Sequence, residues 1–149
     1  VIAAGGIATG GQMLAALCLG AHGVQMGSRF LATQESSAHI NFKSLVVNAN
    51  SDSTKLCMKS LVPVRLLKNT FFSQIEQLEN KGAPSEEIAT LLGKGRAKLG
   101  MLEGKIDQGE LELGQVCNII NNLPSTKACV QNIIKEYNTA LHKLNTRSA

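Results

Sequence analysis

Aromatic residues are scarce in this chain of 149 residues, which contains no Trp, one Tyr and four Phe. The stacking platform typical of single-strand nucleic-acid binders is therefore missing. The net charge of +4 is dispersed without a basic block, which indicates a solvated surface instead of a polyanion site. No apolar run approaches the roughly 18 residues of a membrane span. We expect a soluble, cytoplasmic protein that binds neither nucleic acid nor membrane.

Cysteines are few and widely separated, at Cys18, Cys57, Cys117 and Cys129. They form no CxxC pair and have no histidine at zinc-finger spacing, so no metal site is predicted. Each lies among apolar neighbours, which favours buried free thiols in a reducing compartment over a disulfide framework. The chain also lacks an initiator methionine and opens inside a strand-like run, so we expect it to be a piece of a longer protein.

What the chain does have at its start is a strand, glycine turn, helix, glycine stop and second strand. Residues 1–4 are uniformly apolar and end at Gly5-Gly6, residues 12–19 are strong helix formers, and a second strand-like run occupies residues 23–28. Strands without polar alternation are typical of parallel strands covered on both faces. The short crossover between them predicts a βαβ unit.

The remainder of the chain is predicted to be mostly helical. Extended segments are expected at residues 53–60 and 62–67, and helices at 38–48 after a Ser37 cap, 71–80, from Ser85 onward, 110–121, and 126–144 after a Ser125 cap. Helix 38–48 is expected to bury Ile40, Leu45 and Val46, and helix 71–80 to bury Phe71, Phe72, Ile75 and Leu78. Two strands cannot form a stable parallel sheet alone, so their partner strands must come from elsewhere.

The glycine turns are the candidate binding site. Gly5 and Gly6 follow the first strand, and the second strand ends in Gln25-Met26-Gly27-Ser28. Glycine lets backbone amides approach a ligand because it has no Cβ. Free N–H groups at a helix start favour an anion such as phosphate, and Ser28 adds a hydroxyl at the matching height. The same glycines would also serve tight turns and close helix packing. Spacing alone leaves both interpretations open.

Other polar residues carry weaker signals. Arg29 and Arg65 could approach a substrate or cofactor, although we expect ion pairs for both. Ser28 has no histidine or aspartate partner at an informative spacing, so hydrolase chemistry is unsupported. The acidic residues near 110 are interpreted as a solvated turn: Asp107, Glu110 and Glu112. The histidines are interpreted as structural or solvent-exposed: His22, His39 and His142.

Two segments, VIAAGGIATG at residues 1–10 and GVQMGSRFLAT at residues 23–33, closely resemble the nitronate monooxygenase (2-nitropropane dioxygenase) family. The same motifs occur in related FMN-dependent enoyl-acyl-carrier-protein reductases. The likeness continues at a few shorter stretches and covers nearly the whole chain: residues 35–39, 63–69, 103–110 and 114–115.

The resemblance implies an α/β fold, the C-terminal part of a TIM (β/α)8 barrel with its strands seven and eight, followed by a mostly helical subdomain and C-terminal helices. Residues 1–50 would be the end of the FMN-binding barrel, 51–110 a small helical subdomain, and 111–149 helices that pack back on the barrel. A complete barrel needs about 250 residues. Strands one to six and the family's usual catalytic histidine would lie outside this chain, so no catalytic residue is assigned within it.

By the same resemblance, the FMN phosphate would be held by Gly5, Gly6, Gln25, Met26, Gly27 and Ser28. Ser28 stands where the family often has Thr, which keeps a hydroxyl donor. The implied function is oxidation of alkyl nitronates with O2, with the present chain inactive alone. Alternatives are an FMN-dependent enoyl-acyl-carrier-protein reductase or an NAD(P)H:quinone reductase, in which NAD(P)H reduces FMN first. A further alternative, from another class, is a non-catalytic helical interaction module built on Phe71-Phe72 and the final helix.

Overall fold

The computed structural model describes residues 1–147 as a mixed α/β fold. In chain order its elements are β1 Ile2–Ala4, α1 Gly10–Cys18, β2 Gly23–Gln25, α2 Ser28–Leu31, α3 Ile40–Val47, β3 Thr54–Cys57, β4 Val64–Leu67, α4 Thr70–Asn80, α5 Ser85–Leu92 and α6 Thr126–Arg147. Between α5 and α6 lie a π-helical turn, Lys98–Leu102, and a 3-10 turn, Gln115–Ile119. Among residues 1–147, none of the helices combines the length and the hydropathy that a transmembrane span requires.

The first unit is the predicted βαβ arrangement. β1 and β2 pair in parallel, with Ile2 opposite Gly23 and Ala4 opposite Gln25. The start of α1 is held by reciprocal capping: the Gln12 amide donates to Thr9 Oγ1 at 3.2 Å, and the Thr9 amide donates to Gln12 Oε1 at 3.2 Å. The parallel pairing and the helical crossover are confirmed.

The two strands are less buried than predicted. Ile2 is 67% exposed, and in residues 1–147 each strand has the other as its single hydrogen-bonded neighbour. Strands of a parallel sheet are covered on both faces only when further strands and helices surround them. The expectation of full burial is therefore not met within the described chain.

A second sheet lies in the middle of the chain. β3 and β4 form an antiparallel pair, with Thr54 opposite Leu67, which confirms that residues 53–60 and 62–67 contain extended segments. A third segment runs alongside β4: the Leu67 amide donates to the Leu111 carbonyl at 2.9 Å, and the Leu113 amide donates to the Arg65 carbonyl at 3.1 Å.

The predicted helix over residues 110–121 is therefore wrong in its first half. Leu111 and Leu113 are buried and Glu112 is exposed, an alternation that belongs to an extended chain and not to a helix. Helical structure begins only after Gly114, as the short 3-10 turn.

The start and the buried face of α3 also differ from the prediction. The cap is His39, whose Nδ1 accepts the Asn41 amide at 3.1 Å, and not Ser37. The His39 ring packs where a Cβ on Gly104 would lie, which fixes the ring over the helix start. Ile40 is 58% exposed, so its predicted burial is wrong. The buried side chains of α3 are Phe42, Lys43 and Val46.

Two apolar cores flank β4. Leu67 belongs to the first core, which also includes Ala8, Ala32, Phe42, Val46, Leu111, Leu113, Val116, Cys117 and Ile120. Leu66 belongs to the second, with Cys57, Met58, Phe71, Phe72, Ile75 and Ile88. The predicted apolar face of α4 is thus confirmed, and it packs on the antiparallel strand pair β3–β4.

The first core contains residues from all three predicted domain ranges, so the domain division at residues 50 and 110 stays a prediction.

The cysteines follow the burial prediction with one exception. Cys57, Cys117 and Cys129 are buried, whereas Cys18, at the end of α1, is exposed. Burial raises the pKa of the Cys57 thiol to about 11.

Helix α6 packs closely on α1. The Gly10 amide donates to Glu136 Oε2 at 2.8 Å, and a Cβ on Gly10 would overlap the Ile133 carbonyl oxygen and the Tyr137 amide nitrogen. Gly10 therefore permits the approach of two backbones at the first turn of α1. Its neighbour Gly11 is exposed, with no atom closer than 4.0 Å to an added Cβ.

We predict that Gly10→Ala lowers the free energy of unfolding of the complete protein by about 1–3 kcal/mol or more, because α6 must shift to admit the methyl group. Gly11→Ala is the matched control in the same helical turn, and it should be neutral or stabilising by up to about 1 kcal/mol. Urea unfolding followed by circular dichroism measures both changes. Equal stability of the two variants would contradict the close packing.

Candidate functional site

The two predicted glycine turns follow neighbouring strands and lie next to each other. Because Ala4 lies opposite Gln25 in a parallel pair, the chain exits both strands at the same edge of the sheet. Gly5 and Gly6 adopt φ angles of +85° and +71°, which glycine takes at little cost. A Cβ added to Gly5, Gly6 or Gly27 would meet no atom within 4 Å. Close helix packing therefore does not explain these glycines, and the space beside them is open.

Free backbone donors lie at these turns. The amides of Ala8 and Thr9 both donate to Gln12 Oε1, at 2.9 and 3.2 Å, so they are occupied. By contrast, the amides of Gly6 and Ser28 donate no hydrogen bond within residues 1–147. Ser28 begins the short helix α2, whose first amides have no intrahelical acceptor. Each turn therefore offers a free backbone donor to a ligand in the adjoining cleft.

The Ser28 hydroxyl is oriented by a residue far away in sequence. The Gly114 amide donates to Ser28 Oγ at 3.1 Å, and a Cβ on Gly114 would lie 3.0 Å from that oxygen. Since Oγ accepts this bond, its own proton remains available for donation to a ligand. Sequence reasoning noted Gly114 only as part of the family likeness, because no local pattern indicates a contact across 86 residues.

Two clefts open beside the turns. One, of about 410 Å³, is lined by Gly6, Gln12, Ser51, Arg65, Gln115, Val116, Asn118 and Ile119. The other, of about 480 Å³, is lined by Gly27, Ser28, Leu31, Pro63, Val64, Arg65, Met101, Glu112, Leu113 and Gly114. Both volumes are in the range of small-molecule sites. Arg65 is common to the two clefts.

The six predicted phosphate-binding residues fall into four groups. Gly6 lines the first cleft, and Gly27 and Ser28 line the second. Gly5 and Gln25 lie at the strand ends and line neither. The side chain of Met26 points into an apolar pocket of about 160 Å³ shared with Met13, Val24, Phe30, Val130, Ile133 and Ile134, so only its backbone is available at the turn. The role of all six in FMN binding stays a prediction.

The predicted ion pairs of Arg29 and Arg65 are wrong. Arg29 is 8% exposed and donates to the Asn122 side-chain oxygen at 3.0 Å and to the carbonyls of Asn122 and Ala32 at 2.9 and 2.8 Å. Arg65 Nη1 donates to the Thr54 carbonyl and hydroxyl, both at 3.2 Å. Each guanidinium is held by neutral oxygen atoms, and no carboxylate of residues 1–147 forms an ion pair with either.

The remaining titratable candidates lie outside the clefts or beside them. None of the three histidines lines either cleft. Glu110 is half-buried, and burial followed by the charge of Glu112 raises its pKa, so the expectation of a fully solvated turn is wrong there. Glu112 is exposed and lines the second cleft. Within residues 1–147 no group of three His, Cys, Asp or Glu side chains is placed to hold a metal.

This fold is shared with TIM-barrel enzymes. FabK from Thermotoga maritima matches 99% of this chain with a TM-score of 0.91 and 34% identity. A nitroalkane oxidase from Streptomyces ansochromogenes matches 97% with a TM-score of 0.76 and 29% identity. This chain covers 47% of the FabK chain and 41% of the oxidase chain.

The nitronate monooxygenase family profile matches residues 1–136, so the chain belongs to this family of flavin-dependent enzymes. A probable nitronate monooxygenase from Bacillus subtilis is 36% identical over 137 residues, which cover 91% of this chain and 39% of that protein. The chain thus spans about half, or less, of the length of the relatives it matches.

We predict that Gly6→Val in the complete protein weakens FMN binding at least about tenfold, since a branched side chain would fill the open space and strain a positive-φ turn. Gly20→Val is the matched control: Gly20 has a φ of +93° and no atom within 4 Å of an added Cβ, but it lies after α1, away from the clefts. Flavin content after dialysis measures the difference. Stoichiometric flavin in a folded Gly6 variant would contradict the site.

Ser28→Ala removes a hydroxyl donor to a charged acceptor and leaves the Gly114 amide without its partner. A hydrogen bond to a charged group contributes about 1.5–3 kcal/mol, so the FMN dissociation constant should rise about tenfold or more. Ser28→Thr keeps the hydroxyl and should retain binding within about twofold of the wild type. Fluorescence titration of the apoprotein gives each constant. If Ser28→Ala binds FMN as tightly as the wild type, the hydroxyl does not contact the phosphate.

Proposed function

We propose that the complete protein is an FMN-dependent oxidoreductase that oxidises alkyl nitronates with O2. The observation that carries this proposal is the pair of glycine turns with free amides at one edge of a parallel strand pair, in a chain of the nitronate monooxygenase family. In this proposal β1 and β2 are strands seven and eight of a TIM barrel. The middle of the chain would form the subdomain, and residues 111–149 would pack back on the barrel. The last two of these residues lie outside the described part.

The turn residues fit an FMN phosphate group by their chemistry. The Gly6 and Ser28 amides are unoccupied donors, and the Ser28 hydroxyl keeps a proton while the Gly114 amide holds its oxygen in place. Donors to an anionic oxygen form stronger hydrogen bonds than those between neutral groups. The phosphate would therefore be bound by backbone amides of the turns together with the Ser28 hydroxyl.

Bound FMN would supply the redox chemistry by accepting electrons from the substrate and passing them to O2. This chain's own part would be to bind and orient. Gln115 and Asn118 line the cleft beside Gly6 and offer side-chain amides that can hydrogen-bond a polar ring or substrate group. Because no histidine of residues 1–147 lines either of the two clefts beside the turns, we assign no proton-transfer role to this chain's histidines.

The second candidate is reduction of an enoyl thioester, with NAD(P)H as the electron source. The structural match to FabK, at a TM-score of 0.91, supports this enoyl-reductase alternative. The non-catalytic helical module loses one of its two supports, because Phe71 and Phe72 are 1% and 2% exposed and pack on the strand pair β3–β4. A binding surface cannot be built on side chains that fill a core. The other support remains, since Val130, Ile134 and Leu141 of the final helix are exposed.

Two assays on the purified complete protein separate the two candidates: oxygen consumption with a nitronate, and NADH oxidation with an enoyl thioester. We expect turnover of propionate 3-nitronate without NAD(P)H and no NADH-dependent reduction of a crotonyl thioester. The Ser28→Ala protein, assayed at low and saturating FMN, is the control that links turnover to flavin occupancy. NADH-dependent thioester reduction without nitronate turnover would replace the first candidate by the second, and absence of flavin from the wild-type protein would contradict both.

A further inference from the structure

Arg65 lies at the junction of the two clefts. It is in β4, where successive side chains point to opposite faces: Leu66 enters the second core and Leu67 the first. Arg65 therefore shares the face of Leu67, which is directed toward the glycine turns. Consistent with this, Arg65 lines the cleft of Gly6 and also the cleft of Gly27 and Ser28.

The Arg65 guanidinium is anchored at one nitrogen. Nη1 donates to the buried Thr54, to its carbonyl and its hydroxyl, at 3.2 Å each. Within residues 1–147, Nε and Nη2 donate no hydrogen bond and no carboxylate pairs with the group. Nε and Nη2 form one side of the planar fork, so the anchored group presents two parallel N–H donors.

The other two half-buried or buried arginines are used differently. Arg29 directs its terminal nitrogens to three oxygen atoms of the fold. Arg96 bonds the carbonyls of Leu91, Leu92 and Gln108 with all three of its nitrogens and lies 5.0 Å over the Phe71 ring. Arg96 is thus consumed by the fold, and Arg29 is enclosed in it, with a buried Nε that has no hydrogen-bond partner among the described residues. Arg65 is half-buried, lacks a counterion and faces open space.

We propose that the Nε–Nη2 side of Arg65 binds an oxyanion of the ligand that occupies these clefts, an inference that rests on the proposed function. Guanidinium groups bind two oxygens of one centre in a bidentate manner, which suits a nitronate and a phosphate equally. The exposed carboxylate of Glu112 lines the wider cleft, so the anionic group belongs beside Arg65 and not along the whole cleft. Arg65 would thus be a ligand-binding residue that no glycine motif indicates.

Two sources of the oxyanion are distinguished by binding and kinetics on the complete protein. Fluorescence titration of the apoprotein gives dissociation constants for FMN and for riboflavin, which lacks the phosphate. Steady-state oxygen consumption gives KM and kcat for propionate 3-nitronate. The variants are Arg65→Met and Arg65→Lys, the second of which keeps the charge and loses the fork. Arg96→Met is the control, since it removes an arginine that lines neither cleft.

If Arg65 binds the flavin phosphate, Arg65→Met raises the FMN dissociation constant about tenfold or more and leaves that of riboflavin within about twofold. If it binds the substrate, FMN binding is unchanged and the KM for the nitronate rises about tenfold or more with kcat within about twofold. Arg65→Lys should be intermediate, and it serves as the test if Arg65→Met does not fold. Arg96→Met should change none of these values in its folded fraction.

Unchanged constants in folded Arg65 variants would overturn the proposal. If the wild-type protein binds no FMN, the proposed function fails separately. The oxyanion site is then tested by calorimetric titration with inorganic phosphate. Binding to the wild type that Arg65→Met abolishes would support the site, and equal titrations of the two proteins would overturn it.

Discussion

The parallel pairing of β1 with β2 is the constraint on which the site depends. Because Ala4 lies opposite Gln25, both segments leave the sheet at one edge, with α2 beginning three residues after β2 and α1 six residues after β1. Within residues 1–147 the unoccupied amides at these turns include those of Ser28, at the start of α2, and of Gly6, in the turn before α1. A shift in register would move one turn along the strand relative to the other. The placement of both turns at one edge therefore follows from three backbone pairs.

Helix α6 and the linker before it hydrogen-bond to the residues that follow each of the two turns. Its Glu136 carboxylate accepts the Gly10 amide just after the first turn, and the linker before α6 supplies Asn122 to Arg29 just after the second. At the start of α6 the Thr126 amide and hydroxyl donate to the Glu35 carboxylate at 2.8 and 3.0 Å, and the amide bond is the main reason that the pKa of Glu35 is lowered. Residues late in the chain thus position donors at its start.

The middle of the chain supplies the residues that line the clefts opposite the turns. The strand pair β3–β4 and the extended segment 111–113 carry Arg65 and Gly114 to the turns, where Gly114 bonds the Ser28 hydroxyl. The backbone ladder between β4 and residues 111–113 sets their relative height. A site that appears local in sequence, as two glycine motifs, is therefore assembled from three distant segments.

Local periodicity was enough to predict some elements and not others. The βαβ unit, the apolar face of α4 and the start of α6 follow from short-range signals: glycine turns, three- and four-residue spacing, and a Ser125 cap whose Oγ accepts the Ala128 amide. The prediction for residues 110–121 was wrong in its first half because Leu111 and Leu113 follow a strand alternation, whereas Val116, three residues further on, also fits a helical spacing. Only pairing with β4 decides between them.

The partners of the site residues lay beyond sequence reasoning for a different reason. The contacts of Ser28 with Gly114 and of Arg29 with Asn122 span 86 and 93 residues, so they depend on how the elements pack. The orientation of Met26 into the apolar pocket that it shares with Met13 and Val130 likewise depends on tertiary packing. Residue type could propose an anion site at the turns, but it could not indicate which side chains face it.

In the proposed function the two glycine turns together bind the phosphate of a flavin, and hydrogen–deuterium exchange of the complete protein with FMN and with riboflavin tests this binding. FMN should slow exchange in peptides covering residues 5–7 and 27–29, and riboflavin, which has no phosphate, should slow it much less. Equal protection by the two flavins, or protection by FMN that leaves both turns unchanged, would show that the turns do not bind the phosphate.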